Sequence, residues 1–170
     1  DAVNEKPSLA LDYHARGLDM VSIREDWDRS DSLNFGAHGG QNNVYHAHYD
    51  GGTWIFDLLG ERWALDLGMD MATYVGNPMS SVYRGRAQGH NMLVFNPDEN
   101  EDFVWESSTP LVRFESAPKG AIAVYDNSEG YSKWCTSVTR GFYVGDDRRS
   151  LTVRDEFTVI ESGTEVYWNM

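Results

Sequence analysis

The sequence predicts an all-β fold, an antiparallel sandwich or barrel. Two observations carry this. Short runs rich in β-branched and aromatic residues recur along the chain, each broken by Gly, Asn, Asp or Pro. No segment keeps a helical apolar period over three turns. The 170 residues suffice for one domain with a substantial core, and an aromatic fraction of 13% fits a packed protein rather than a disordered one.

Taken in order, strands are expected at Leu9–Tyr13, Met20–Arg24, Ser32–Ala37, Asn43–Tyr49, Thr53–Leu59, Arg62–Leu67 and His90–Phe95. Six more follow at Phe103–Trp105, Leu111–Ser116, Ala121–Tyr125, Ser137–Val144, Ser150–Phe157 and Thr164–Trp168. Gly60-Glu61 reads as a tight turn between two strands, and Gly145-Asp146-Asp147 as another. Glu25–Asp31 has room for a short turn. Met69–Gly89, rich in Gly, Ser, Asn and Pro, reads as a long loop over one face. Residues 1–8 read as a polar tail or linker ahead of a single domain over 9–170. Both ends look like cuts within a longer protein.

The net charge of −13 excludes a nucleic-acid partner, which needs a basic face. An anionic ligand would need local cations to outweigh the global field. No run approaches the ~18 apolar residues of a membrane span. Cys135, the one cysteine, forms no intrachain disulfide and reads as a small buried strand residue.

The strongest chemical signal is His46-Ala47-His48. In a strand, residues two apart share a face, so both imidazoles would project together. Neutral imidazole is a good ligand for zinc and other transition metals. The pair supplies at most two ligands, and it also fits an ordinary exposed strand face. Asp66 ends an otherwise apolar strand and His90 opens another, so either is a candidate third ligand. Taken alone, Asp66 also fits a turn cap at Gly68, and His90 a hydrogen-bonded strand histidine. His14 and His38 lack a partner pattern and read as surface residues.

The run Tyr45-His46-Ala47-His48-Tyr49-Asp50-Gly51-Gly52-Thr53-Trp54 resembles the H-x-H-x-D-x-G-S/T-F segment of heparinase II/III-like polysaccharide lyases. The run from Leu59 to Gly68 is similar to that family's G-E-x-W-x-x-D-x-G hairpin. Ser81-Val82-Tyr83-Arg84 and Gly89-His90-Asn91 are similar to its Y-R-S and H-N segments. Likeness is close from Met20 to Asn96 and weaker from Ser137 to Met170. Two positions depart from the pattern: Trp54 stands where Phe is usual, and no Ser or Thr follows Arg84.

The resemblance implies an antiparallel β-sandwich joined to an α-helical toroid absent from this chain. It implies a structural zinc held by His48, Asp66 and His90, with His46 and Tyr83 facing the substrate cleft as the sandwich's share of the catalytic groups. Arg84, Arg86 and Asn91 are the candidates for contacting an anionic uronate polysaccharide, such as heparan sulfate or alginate. The implied reaction is β-elimination, which needs a base for the C5 proton, an acid for the leaving oxygen and donors that neutralise the developing dianion. A bacterial periplasmic or secreted location is implied as well.

Two other readings fit parts of the pattern. Gly40 to His48 matches the G-x5-H-x-H opening of cupins, but the Glu expected four or five residues beyond is replaced by Gly52 and Thr53. A noncatalytic carbohydrate-binding or structural sandwich, with a metal that only holds loops, is the other.

Overall fold

The computed structural model describes residues 9–69, 82–97 and 102–170. The expected 1–8 tail and most of the expected Met69–Gly89 loop lie outside the described residues. Strands β1 (Asp12–Ala15), β2 (Met20–Arg24), β3 (Asn34–Ala37), β5 (Trp54–Leu58) and β6 (Glu61–Ala64) form one antiparallel sheet, in the order β1-β2-β3-β5-β6. Strands β9 (Leu111–Ala117), β10 (Gly120–Asp126), β11 (Cys135–Val144) and β12 (Leu151–Val159) form a second, ordered β12-β11-β10-β9. Two short pairs complete the set: β7 (Leu93–Phe95) with β13 (Val166–Trp168), and β4 (Gly40–Gln41) with β8 (Ser108–Thr109).

The two large sheets pack face to face over one core. Val21, Ile23 and Phe35 come from the first, and Ala123, Tyr125 and Phe142 from the second. Alternation explains why these residues meet: along β10 and β11 every second side chain is buried, which puts one apolar face inward. A second cluster, Met92, Leu93, Phe95, Phe103, Tyr131 and Val138, lies around β7. Cys135 opens β11 in this cluster, free and buried as expected, and burial pushes its thiol up to about 11.

Most expected strands form, several shifted by one to three residues. Two do not. Phe103–Trp105 is bent chain, and the strand there is Ser108–Thr109 instead. Phe103 is fully buried as a plug under Tyr131, and its apolar character reflects that role rather than a pleat. Asn43–Tyr49 forms turns, with Val44 N–H donating to Asn42 O and Ala47 N–H to Val44 O. The tight hairpin turn is Leu59-Gly60 rather than Gly60-Glu61. Both residues have positive φ, 59° and 79°, as a two-residue hairpin loop demands.

Candidate metal centre

The site assembles from irregular segments at one end of the first sheet, where His38 follows β3, Asp50 precedes β5 and Asp66 follows β6. The histidine pair is not in a strand, so the expectation that both imidazoles share a face is corrected. His46 has φ of 66°, in the left-handed region, which turns the chain between the two histidines. His48 points inward and is buried, whereas His46 is exposed and stacks edge-on against Tyr45. Tyr49 N–H then donates to Gly85 O, tying this segment to the 3-10 turns Tyr83–Gly85 and Ala87–Gly89.

Asp50 begins a turn closed by Thr53 N–H donating to Asp50 O. Two glycines let that turn lie flat. A Cβ on Gly51 would stand 2.5 Å from Thr109 Oγ1, and one on Gly52, whose φ is +93°, would stand 2.4 Å from Asn127 Nδ2. Asn127 Nδ2 also donates to Gly51 O at 2.9 Å.

Three donor groups converge: ligand atoms of His48, Asp50 and His90 all lie within 4.8 Å of one another. The two imidazole centroids are 5.2 Å apart. Asp66 joins through His90, with Nδ1 and Asp66 Oδ2 separated by 2.7 Å, while Asp66 Oδ1 accepts from Gly68 N–H at 2.8 Å. Asp66 therefore caps its turn and engages His90 at once. His38 approaches from the other side, its Nε2 3.3 Å from Asp50 Oδ2.

The electrostatics favour metal-binding protonation states. Burial holds the His48 imidazole below its ordinary value, so the neutral, ligating form dominates at neutral pH. Burial opposes ionisation of Asp50, but the hydrogen bond and charge of His38 outweigh it and keep the carboxyl below the usual range. Asp66 is likewise lowered: burial opposes, and the His90 hydrogen bond and charge prevail. An ionised Asp66 only accepts, so His90 Nδ1 is the donor in that contact, and Nε2 is left as the ring's other nitrogen. His90 Nε2 is buried and has no hydrogen-bond partner among the described residues. A buried imidazole nitrogen with no partner among the described residues, beside a second imidazole and a carboxylate, fits a divalent transition metal.

The remaining candidates separate. His46 and His48 line a cleft of about 450 Å³ together with His38, Tyr45, Asp50 and Asp66. Tyr83, 57% exposed, lines a different cavity with Trp63, Leu65, Leu67, His90 and Met170. His90 and its partner Asp66 thus stand at the wall between the two, and His46 and Tyr83 border different cavities. Arg84 is exposed and donates from Nη1 to Leu67 O at 3.0 Å.

Arg86 and Asn91 are both engaged in buried contacts, and Asn91 also lines the cavity of Tyr83. Arg86 is buried, and its Nε lies 3.3 Å from Asp102 Oδ2. Asn91 is buried, and its amide donates to Trp54 O at 2.6 Å and Leu65 O at 3.2 Å. Both positions are polar because they satisfy buried backbone or charge, a requirement a sequence does not distinguish from ligand binding. His14 and His38 are also not bare surface residues: His14 pairs with Asp19 at 3.2 Å, and His38 with Asp50. The one group of the centre given no role beforehand is Asp50. Its signal was an acid placed directly before Gly-Gly, two residues beyond His48.

An all-β sandwich with a histidine–carboxylate centre on its loops is the class that fold and site define. The sequence profile of the heparinase II/III-like C-terminal domain matches residues 32–170, and the chain belongs to that family of polysaccharide lyases. Among solved structures it is similar to a mutant of heparan sulfate lyase HepC from Pedobacter heparinus. The TM-score is 0.68 at 16% identity, over 89% of this chain and 23% of that one. A heparinase III gene product is also similar, with a TM-score of 0.67 at 14% identity, over 88% of this chain and 22% of that one. The chain therefore spans less than a quarter of the length of these structures. No curated protein matches it.

Proposed function

We propose that this chain is the sandwich part of a polysaccharide lyase that cleaves uronate-containing glycans by β-elimination, and that the group around His48 and His90 holds a structural zinc ion. The observation that carries the proposal is the convergence of His48, His90 and a carboxylate beneath a cleft lined by His46, in a chain of this family. The two similar solved structures whose names describe heparan sulfate lyase and heparinase III support an anionic glycosaminoglycan as the substrate class. Alginate is the other uronate polymer with the same α-proton chemistry.

In this reading zinc acts as a clamp that fixes the loops. It holds the 44–50 turns against the segment 85–91, so that His46 is presented at the cleft. The reaction removes the uronate C5 proton and breaks the C4–O bond, leaving a C4–C5 double bond. His46 and Tyr83 are the proposed sandwich contributions to proton transfer, and Arg84 the cation for a carboxylate or sulfate. A helical domain elsewhere in the parent protein supplies the other catalytic groups, and a bacterial periplasmic or secreted setting fits the substrate.

The test uses the full-length parent protein with heparan sulfate, alginate and hyaluronan, following the ultraviolet absorbance of unsaturated uronate. A rise with at least one polymer is expected, and silence on all three would overturn the lyase reading. Elemental analysis after purification without chelator should return one zinc per chain, lost in His48→Ala and His90→Ala.

A further inference from the structure

We infer that Arg24 heads an anion subsite on the outer face of the first sheet, where it takes a carboxylate or sulfate of a glycan lying across β2, β3 and β5. The inference gives the uronate polysaccharide proposed above a second contact surface and rests on that reading. It requires no metal.

Three observations carry it. The first is a cation left over in a chain of net charge −13. Arg29, Arg62, Arg140 and Arg148 each pair with a carboxylate. Arg24 Nε, although buried, has no hydrogen-bond partner among the described residues. The acids beside it are engaged elsewhere. Glu25 accepts from Arg29 and Arg149. Asp57, which shares a row across the sheet with Arg24 and Asn34, accepts from Arg62 through both oxygens and from the Asn34 amide.

Secondly, the guanidinium is held in place. It lies over the Trp27 ring, 4.3 Å from the centroid, and Trp27 is itself anchored by its indole N–H, which donates to Ala10 O at 3.2 Å. The Arg24 carbonyl accepts from Arg148 Nη1 at 2.6 Å. A cation fixed before binding loses little entropy when an anion arrives.

Thirdly, Arg24 borders a cavity of suitable shape. Met20, Ser22, Arg24, Asn34, Gly36 and Ile55 line an open cavity of about 340 Å³. Strand register sets Ser22, Gly36 and Ile55 side by side, with the exposed Tyr13 opposite Ser22. The small residues Ser22 and Gly36 form the floor, and Met20, Ile55 and Tyr13 form an apolar rim that suits the C–H face of a sugar ring. A Cβ on Gly36 would stand 3.3 Å from Ile55 Cγ1, so even a methyl group narrows the floor. The cavity ends at His38, Asp50 and Asp66. It is therefore polarised, with a cation at one end and carboxylates at the other, which places the anionic group of a bound glycan at Arg24. Four positions separate Asn34 in β3 from His38 just beyond it, ~13 Å of extended chain, which is room for more than one sugar ring.

The experiment measures binding of size-defined heparan sulfate oligosaccharides to the full-length protein by calorimetry, with circular dichroism of each variant as the folding control. Arg24→Gln should weaken binding about tenfold and flatten the dependence of affinity on salt. Arg24→Lys, which keeps the charge but not the fork, should recover part of that loss. Gly36→Val, which raises the floor and leaves the cation, should weaken binding by about tenfold as well. A loss in Arg24→Gln confined to heparan sulfate identifies sulfate as the group bound, and an equal loss with unsulfated hyaluronan identifies the uronate carboxylate. Unchanged affinity and salt dependence in folded Arg24→Gln would overturn the inference. If that variant does not fold, wild-type affinity in Gly36→Val does so, as does the absence of any binding by wild type. Binding that depends on Arg24, in a protein that releases no unsaturated uronate, would instead overturn the lyase reading and leave the subsite standing.

Discussion

The β9–β12 sheet and the loops around the metal centre are held by different means. The sheet is stabilised by repetition. Its long strands pair in antiparallel register, with shifts only at Val124/Tyr125 and Cys135/Ser137, and alternate side chains enter the core. The loops lack register. They are fixed one contact at a time by buried side chains that bind backbone: Asn91 to Trp54 O and Leu65 O, Asn127 to Gly51 O, and Arg140 to Gly52 O and Asn91 O. Arg140 joins the two regions. It sits in the middle of β11, 2% exposed, and its guanidinium is shared between Asp155 of β12 and the carbonyls beneath the site. The same residue therefore serves the sheet with one side of its fork and the loops with the other. A sheet of this kind tolerates local loss, because neighbouring pairs keep the register. The loops do not, since each contact there has no duplicate.

The largest effects should come from breaking this contrast at its two extremes. Arg140→Met leaves the half-buried Asp155 with only Trp168 Nε1 as donor and removes the Arg140 donor from two carbonyls, and should cost about 3 kcal/mol in denaturant unfolding. Phe142→Ala, at the centre of the main core, should cost a similar ~3–5 kcal/mol through the cavity it opens. The two should differ in metal binding. Arg140→Met should also weaken zinc affinity, because Gly52 and Asn91 lie on either side of the centre. Phe142→Ala should leave affinity unchanged as long as the protein is folded. Equal affinities in the two variants would erase the distinction between the regions.

Glycine offers a smaller version of the same comparison. Gly52 and Gly60 both have positive φ, but a Cβ at Gly60 meets open space whereas one at Gly52 collides with Asn127. Gly60→Ala should therefore cost only the backbone strain, ~1 kcal/mol, with zinc affinity intact. Gly52→Ala adds displacement of Asn127 and should cost about 2–3 kcal/mol with weaker zinc binding. Thermal melts with and without zinc would read both.

What could be read in the sequence divides along the same line. The strands Leu111–Ser116 and Ala121–Tyr125 were legible because β-branched and aromatic content bounded by turn residues is a local property. The histidines of the candidate centre were legible as residues but not as geometry. The segment 43–49 carries the apolar and aromatic content of a strand, yet its hydrogen bonds go to neighbours within its own turns, and one left-handed residue, His46, reverses the relation between the histidines. Arg86 and Asn91 were polar residues in a plausible binding segment. Their partners, Asp102 on one side and the carbonyls of Trp54 and Leu65 on the other, are 16, 37 and 26 residues away, so nothing local reveals that they are occupied. His38 and Asp50 illustrate the same limit: twelve positions of chain separate them, and only the pairing of β3 with β5 brings them together.

The smallest expected effect lies on the solvent-facing side of the β5–β6 hairpin. Arg62 donates from Nε to Asp57 Oδ1 at 2.6 Å and from Nη2 to Oδ2 at 3.1 Å, and Asn34 adds a third bond at 3.1 Å. The Arg62 hydrogen bond holds the Asp57 carboxyl below its ordinary value in the folded state. A depressed carboxyl contributes stability in full above its unfolded value of about 3.9 and loses it as pH falls through the folded value. Wild type should thus exceed Asp57→Asn in stability at neutral pH, with the gap closing below about pH 4. The pair is solvent-facing, so the gap should also shrink in high salt. Because the hairpin is fastened by a register of its own, Asp57→Asn should leave zinc affinity untouched at every pH where the centre is loaded. A change in affinity there would mean that the hairpin and Asp66, two residues beyond the end of β6, move as one unit with the site.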